Sequence, residues 1–299
     1  MPKQNCIREI VEYVAALVVV KSLELAPRSC AERLACVYTR LLELAVPRLR
    51  RVALKNLSMS LPELDAAEQH KIADGVFRSI ARLLVSFAKF PQIMRGALSE
   101  WVRCEGYEYY EAALRRGRGV LFATAHLGNW ELSAFAHALF ASPMHVVVRP
   151  LDNLRIDALV ARRRTLSGNH LIEKKNSARE ILRALAANQA VGILIDQNAA
   201  IEEGIFVDFF GVPACAGTGF AKLATHSGAT VIPGFAFWLA EESRYVLRLY
   251  PPIEMSGDAA QDTGRLHQFL ESLIRQYPDQ WLWIHRRWKT RPSGEAPIY

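Results

Sequence analysis

The chain has 299 residues, 51% of them hydrophobic, with 37 Lys and Arg against 30 Asp and Glu for a formal net charge of +7. That length buries a large core and favours one domain with an N-terminal appendage over two equal halves. A mean hydropathy of +0.05 is too low for a polytopic membrane protein, and the basic balance asks for an acidic partner: anionic lipid, nucleic acid or an acidic carrier protein. No basic block interleaves with aromatics and no nucleic-acid motif occurs, which argues against nucleic acid.

Residues 1–98 read as helical, with turn signals at Pro27, Pro47, Pro62 and Pro91. Residues 10–26 are mostly apolar, but Glu12, Lys21 and Glu24 leave only 13–20 uncharged, too short to span a bilayer and with no signal-peptide cleavage site behind it. Residues 31–46 and 51–61 repeat the pattern, bordered by Arg28, Arg33, Arg40, Arg48, Arg50, Arg51 and Lys55. Apolar faces edged with arginine fit helices lying in a membrane interface; they equally fit a helical subdomain packed on the core. Residues 63–89 carry Ile72, Val76, Ile80, Leu83, Leu84 and Phe87 at helical spacing.

From Val102 the pattern changes. Strand-like runs at 119–125, 145–149, 190–196, 230–238 and 245–251 alternate with helical ones at 107–116, 130–141, 153–166, 177–188, 217–227 and 263–277. This alternation predicts an α/β fold, a mostly parallel sheet flanked by helices, over residues 99–299, with residues 1–98 as an N-terminal helical, membrane-associating segment. Ser177-Ala-Arg-Glu180 reads as a capping box.

The most informative run is His126-Leu-Gly-Asn-Trp-Glu131, which follows the uncharged stretch 120–125. A strand that ends in an imidazole, a turn opened by Gly128 and a helix capped by Asn129 put His126 at the C-terminal edge of the sheet, where α/β proteins do chemistry. Glu131, in the first helical turn, is placed to orient the ring and raise its basicity, so the pair reads as a general base. Taken alone, a turn histidine and a glutamate favoured by the helix dipole would give the same letters.

Gly192-Ile-Leu-Ile-Asp196-Gln197 is a second strand ending in polar residues, near the same sheet edge. The apolar run 204–214, with Phe209, Phe210 and Gly211, reads as a loop: either aromatic walls for an acyl chain or a plug closing the core. Thr218, in the small-residue run after it, opens a helix whose N–H groups suit an oxyanion or phosphate. Arg149 closes the 145–149 strand and is placed to grip a phosphate or carboxylate. Arg162, Arg163, Arg164, Lys174 and Lys175 form a basic surface, by default a solvated face, that could also dock an acidic carrier. Thr230-Val-Ile-Pro233 reads as a third strand end. Residues 277–289 are dense in tryptophan and cation, suiting core packing, an interface belt or Arg–Trp stacking. Five cysteines (Cys6, Cys30, Cys36, Cys104, Cys215) make no CxxC pair and no metal spacing, and read as buried thiols in a reducing compartment. No metal site is expected.

Taken in order, these blocks resemble the bacterial lipid A biosynthesis acyltransferases, the lauroyl and myristoyl transferases within the lysophospholipid and glycerolipid acyltransferase superfamily, from about Arg50 to Lys289. His126-Leu-Gly-Asn-Trp-Glu131 matches the family's His-x4-Asp/Glu motif and 192–197 its second block. Phe209-Phe-Gly-Val-Pro-Ala214 looks like its substrate loop, Val231-Ile-Pro233 its late proline block, and 280–289 its C-terminal signature. The mannosyl-phosphoinositide acyltransferases look similar. The long N-terminal transmembrane helix common in the lipid A enzymes is reduced here to 13–20, which favours a peripheral or monotopic protein at the cytoplasmic face of the bacterial inner membrane.

The resemblance implies acyl transfer from an acyl carrier protein or coenzyme A thioester to a hydroxyl of a glycolipid or lysolipid acceptor, with no other cofactor. His126 and Glu131 would be catalytic; Asn129, Arg149, Asp196, Gln197, Phe209, Phe210, Gly211 and Thr218 would contact substrate. No Gly-x-Ser-x-Gly elbow is present, so direct attack in a ternary complex is expected rather than an acyl-serine. Two rival readings are a hydrolase passing the acyl group to water and a non-catalytic lipid-binding protein of the same fold.

Overall fold

The computed structural model describes residues 3–175 and 177–299, with side chains from residue 7 onward. Four helices open the chain: α1 (Lys3–Leu25), α2 (Arg28–Ala45), α3 (Arg48–Ser60) and α4 (Ala66–Gln92). Helix α4 starts on a true capping box: the Asp65 side chain accepts from Glu68 N–H and Glu68 reaches back to the Asp65 N–H. Past Pro91 the helix loosens into a π turn, Ile93–Ala97, and the short α5 (Leu98–Trp101) leads to the sheet.

The remaining elements are β1 (Val102–Glu105), α6 (Tyr107–Arg115), β2 (Val120–Thr124), α7 (Trp130–Phe140), β3 (His145–Val148), α8 (Leu154–Arg164), β4 (His170–Glu173) and α9 (Ala178–Ala186). They are followed by β5 (Ala190–Leu194), β6 (Gly204–Phe209), β7 (Val212–Gly217), α10 (Gly219–Ser227), β8 (Thr230–Leu239), β9 (Arg244–Leu249) and α11 (Ala259–Gln276). Seven strands form one sheet in the order β1-β9-β8-β2-β5-β3-β4, in which only the β8–β9 neighbours are antiparallel. The expected α/β architecture with a mostly parallel sheet is therefore what the chain adopts.

Three local expectations are corrected. Residues 204–217 form an antiparallel hairpin, β6–β7, rather than a loop; its turn holds Phe210 and Gly211 at φ 60° and 71°, and a phenylalanine in the left-handed region gives no turn signal in the sequence. Pro233 does not end a strand. Strand β8 pairs with β2 only as far as Pro233 and then continues against β9 from Gly234 to Leu239, because proline has no N–H to carry the first ladder further. Ser177 caps nothing: its hydroxyl donates to the Lys174 carbonyl.

The sheet is buried on both faces. Phe122 and Val120 pack with Phe90, Tyr110 and Phe135 of α4, α6 and α7, while Leu121 and Ala123 pack with Ile181, Phe220 and Leu266 of α9, α10 and α11. Leu23, Ala31 and Ala35 join the first cluster, so α1 and α2 share the core of the sheet. Outward, α1 leaves Ile7, Val11, Val14 and Val18 between 49% and 65% exposed, one stripe at helical spacing. Among the described residues no helix is long and apolar enough to cross a membrane.

The ladder is incomplete at one place. Strand β2 pairs with β5 over five residues and β3 with β4 over four, yet β3 and β5 pair only at His145–Val191 and Val146–Gly192. Toward their C-terminal ends β3 and β5 separate.

Candidate active site

Strand β2 lies between β5 and β8, where the chain's strand order reverses direction, the position at which doubly wound sheets bind ligands. Two residues beyond the Thr124–Leu194 pair the same register sets His126 opposite Asp196. Asp196 is fully buried and accepts three hydrogen bonds: Oδ1 from His126 Nδ1 at 2.9 Å, Oδ2 from the His126 backbone N–H at 3.0 Å, and Oδ2 again from the Trp281 indole at 2.9 Å. Burial alone would raise the Asp196 pKa. The charge of and bond from His126, with His285 and Trp281 adding to them, hold it well below the usual carboxylate range.

An ionised carboxylate only accepts, so Nδ1 of His126 carries the proton and Nε2 keeps its lone pair. Burial pulls the His126 pKa down, but the Asp196 charge and hydrogen bond outweigh it and the pKa sits above the ordinary imidazole value. The ring also rests against Trp130, 4.9 Å centroid to centroid.

The turn that carries His126 is held by main-chain bonds to two distant segments. Gly128 N–H donates to the Gln280 carbonyl, Leu282 N–H to the His126 carbonyl, and Asn129 N–H to the Ala236 carbonyl of β8. Gly128 sits at φ 66°, and a Cβ there would lie 2.1 Å from the Ala236 oxygen, so only glycine seats the turn this closely. Residues 280–288 thus form a strap across the base of the site. Trp281, Trp283, Trp288 and Arg287 on it are fully buried, and the Arg287 guanidinium donates to the Cys215 carbonyl.

Glu131 does not hold the imidazole. Both its oxygens are taken by Arg164 of α8, from Nε at 2.9 Å and Nη2 at 2.5 Å, a bidentate pair. Its effect on His126 is through space, a smaller contribution than that of Asp196. The orienting role expected of Glu131 therefore belongs to Asp196, which was expected to contact substrate. Arg164 is not on the basic surface either. It lines the cavity with Glu131, Arg163 is buried on the Ala88 carbonyl and Glu24, and only Arg162 of the three is exposed.

His126, Glu131 and Arg164 open on a cavity of about 900 Å³, within the range of sites for drug-sized ligands. Arg149, Gln197 and Thr218 line it as well. Five expected substrate contacts do not line it, Asp196 behind the ring among them. Asn129 is fully buried, spent on capping α7 through Leu132 N–H and on the Ser86 hydroxyl. Phe209 and Phe210 turn into the core against Trp281, Trp283 and Trp288, and Gly211 lies at the exposed hairpin tip. The two aromatic side chains of the hairpin turn serve the strap, and of the 204–217 run only Gly217 lines the cavity. Among the described residues no group of His, Cys, Asp or Glu could hold a metal. Cys30 and Cys36 are exposed rather than buried, Cys215 is buried, and Cys6 lies outside the described side chains.

A mostly parallel sheet with its histidine at the switch point, a buried carboxylate behind the ring and a large cavity of mixed polar and apolar lining before it suit an acyl-transfer class of site. Residues 2–290 match the family described as bacterial lipid A biosynthesis acyltransferase, and the chain belongs to that family: it is an O-acyltransferase. It is 32% identical over 268 residues to the lipid A biosynthesis palmitoleoyltransferase of Escherichia coli K12, covering 87% of this chain and 86% of the relative. It is 28% identical over 271 residues to the lauroyltransferase of the same organism, covering 89% and 88%, and 24% identical over 252 residues to its myristoyltransferase, covering 84% and 78%.

Proposed function

We propose that the protein moves a fatty acyl group from an acyl carrier protein or coenzyme A thioester to a hydroxyl of a lipid A-type glycolipid. The observation that carries this reading is the His126–Asp196 pair opening on the cavity. Nε2 of His126 takes the acceptor hydroxyl's proton as the oxygen attacks the thioester carbonyl, and Asp196 stabilises the imidazolium that forms. The negative charge that develops on the carbonyl oxygen is met by Arg164, which Glu131 holds in a fixed orientation. Collapse of the tetrahedral intermediate breaks the C–S bond, and the thiolate leaves with the proton from His126. Asp196 and Asn129 are positioning residues in this scheme, and Arg149, Gln197 and Thr218 bind substrate at the mouth.

The apolar part of the cavity beneath α7, walled by Phe122, Phe135, Met144, Leu247 and Leu249, suits the donor chain. Support for a membrane-bound position comes from the α1 stripe. Asn153 donates to the Glu9 carbonyl, which joins α1 to the loop where Leu151 and Leu154 are 42% and 76% exposed and where Pro150 and Leu151 line the mouth. Exposed Arg33, Arg40, Arg48 and Arg51 suit anionic lipid. On this reading α1 lies in the interface of the cytoplasmic face of the inner membrane, with the cavity mouth beside the lipid.

Mixing purified protein with an acyl thioester and a lipid A precursor tests the proposal. His126→Ala should lower ester formation by roughly a hundredfold or more with the fold intact. Free fatty acid accumulating in place of ester would make the protein a hydrolase, and lipid binding without thioester consumption would make it a binding protein.

A further inference from the structure

Helix α8 carries Arg164 to the cavity, yet little that is apolar holds that helix down. A helix lying on a core is usually seated by a stripe of buried hydrophobic side chains. The sole buried residue of α8 is Arg163, and Val160 packs only partly against the core. Successive residues point about 100° apart around a helix. Arg163 and Arg164 therefore serve different neighbours, the first on α1 and α4, the second on α7.

What seats α8 is polar. Arg163 donates from Nη1 to the Ala88 carbonyl at 2.6 Å and from Nη2 to Glu24 Oε2 at 2.5 Å. Glu24 stands in the last turn of α1 and is held there: buried Lys89 donates to the Glu24 and Ala26 carbonyls, and Lys21 pairs with the Glu24 carboxylate at 3.0 Å. Just before α8, its N-cap Asn153 donates to the Glu9 carbonyl at 2.8 Å and to Glu12 Oε2 at 3.2 Å. Helix α1 thus ties both ends of α8. On α4 the Arg163 bond falls two residues from Ser86, whose hydroxyl accepts from Asn129 of the His126 turn at 2.6 Å. Residues 86–89 of α4 therefore touch the turn that bears the base, the helix that bears Arg164 and the end of α1.

We infer that Arg163 and Glu24 are positioning residues, which fix the end of α8 so that Arg164 stands at a set place relative to His126. This rests on the part given to Arg164 in acyl transfer and adds to it two residues that touch neither substrate nor the reacting atoms. Burying an ion pair is costly, and apolar residues of similar volume often stabilise a fold as well or better. A planar guanidinium that bridges a main-chain carbonyl on one helix and a carboxylate on another instead locks three helices in one geometry. Glu131 orients the Arg164 guanidinium; Arg163 sets where the Arg164 main chain lies. A charge that meets a developing oxyanion works only if it is in place beforehand, and a displacement of about 1 Å caused far from the chemistry can cost about a hundredfold.

A double-mutant cycle tests this, with steady-state rates taken on the full chain with an acyl thioester donor and a lipid A precursor. Arg164→Ala should lower kcat by roughly a hundredfold. In the parent protein Arg163→Met and Glu24→Ala should each lower kcat by about tenfold or more. Both KM values should stay unmoved, since the group being placed acts in the transition state. In the Arg164→Ala background neither substitution should lower kcat further, although urea unfolding shows the same loss of stability in both backgrounds. A role confined to packing would cost the same activity in both. Equal losses of kcat in the two backgrounds, or an unchanged kcat in the folded single variants, would overturn the positioning role and leave acyl transfer standing. If Arg163→Met fails to fold, Glu24→Ala, at a partly exposed site, carries the comparison. Full activity in Arg164→Ala would overturn the inference together with the part given to Arg164. A parent protein that forms no ester would overturn acyl transfer itself, and the positioning role with it.

Discussion

Trp281 donates its indole N–H to Oδ2 of Asp196, the oxygen that also accepts the His126 backbone N–H, which leaves Oδ1 to the imidazole alone. The carboxylate is thereby fixed in rotation, and the ring can meet only one oxygen. Trp281→Phe keeps the aromatic packing and removes one donor from a buried charge. Stability should drop by about 1.5–3 kcal/mol, measured by urea unfolding. Turnover should fall with both KM values unchanged, because the residue acts on the carboxylate and not on substrate.

Asp196→Asn removes the charge that keeps the His126 pKa above its ordinary value. Burial then prevails and the pKa falls. The base must be unprotonated to work, so the acid limb of the kcat/KM profile should move to lower pH even as the plateau drops by roughly 10³–10⁴-fold. A plateau loss without movement of the limb would separate the carboxylate from the ring's titration.

Glu131→Gln and Arg164→Lys address the second pair. If Glu131 positions Arg164, and Arg164 meets the carbonyl oxygen, both substitutions should lower kcat. Lysine should not rescue, because it lacks the two-pronged donor that fits Glu131. The acid limb should shift less in Glu131→Gln than in Asp196→Asn, since the Glu131 charge is the weaker influence on the ring. Steady-state profiles of the three variants decide this.

Stability should depend on pH through buried histidines that stay neutral. Burial pushes His137 and His267 down to about 4. Their unfolded values lie near 6.5, so between about pH 6.5 and 4 the unfolded chain takes up protons that the folded chain refuses, and stability falls. The loss is on the order of 1–3 kcal/mol per histidine at the acid end. His126 acts oppositely. Its folded pKa is raised, so its contribution is full below about 6.5 and disappears as pH rises through the folded value. Urea midpoints from pH 7 to 5 should decline in the parent protein, less steeply in His137→Leu and more steeply in His126→Ala.

Val14→Glu combined with Val18→Glu should weaken binding to phosphatidylglycerol vesicles, read by co-sedimentation, with thioester turnover on a soluble acceptor retained. Added salt should weaken the parent's binding further, because the arginines beside the stripe act through screened charge.

Much of this site was legible in the chain, but its wiring was not. The strand endings at His126 and Asp196, the cap at Asn129 and the glycine at 128 could each be read from a few neighbouring residues, since strand period, capping and left-handed backbone are local properties. Which carboxylate meets the imidazole depends on β5 lying beside β2, a pairing of residues 70 apart in sequence. Glu131 was close in sequence but turned toward Arg164 from another helix. Strands β1 and β4 escaped notice because they are short, partly exposed sheet edges of four residues each, and edges carry little apolar alternation. The hairpin at 204–217 looked like a substrate loop because its aromatics are the packing surface for a strap that lies far along the chain. No local signal singled out Arg164: three consecutive arginines span about 200° of a helix and can all face solvent.

The strap also sets an order of events. A ribosome makes the histidine and its carboxylate long before it reaches Trp281, Leu282 and the tryptophans beyond them. Until those residues emerge, Asp196 is a charged group without its indole donor and the turn at 126–128 lacks its clamp. A nascent or prematurely stopped chain would therefore hold every reacting group without a working centre. Catalytic competence would come in the last moments of synthesis, as a late long-range closure of the fold.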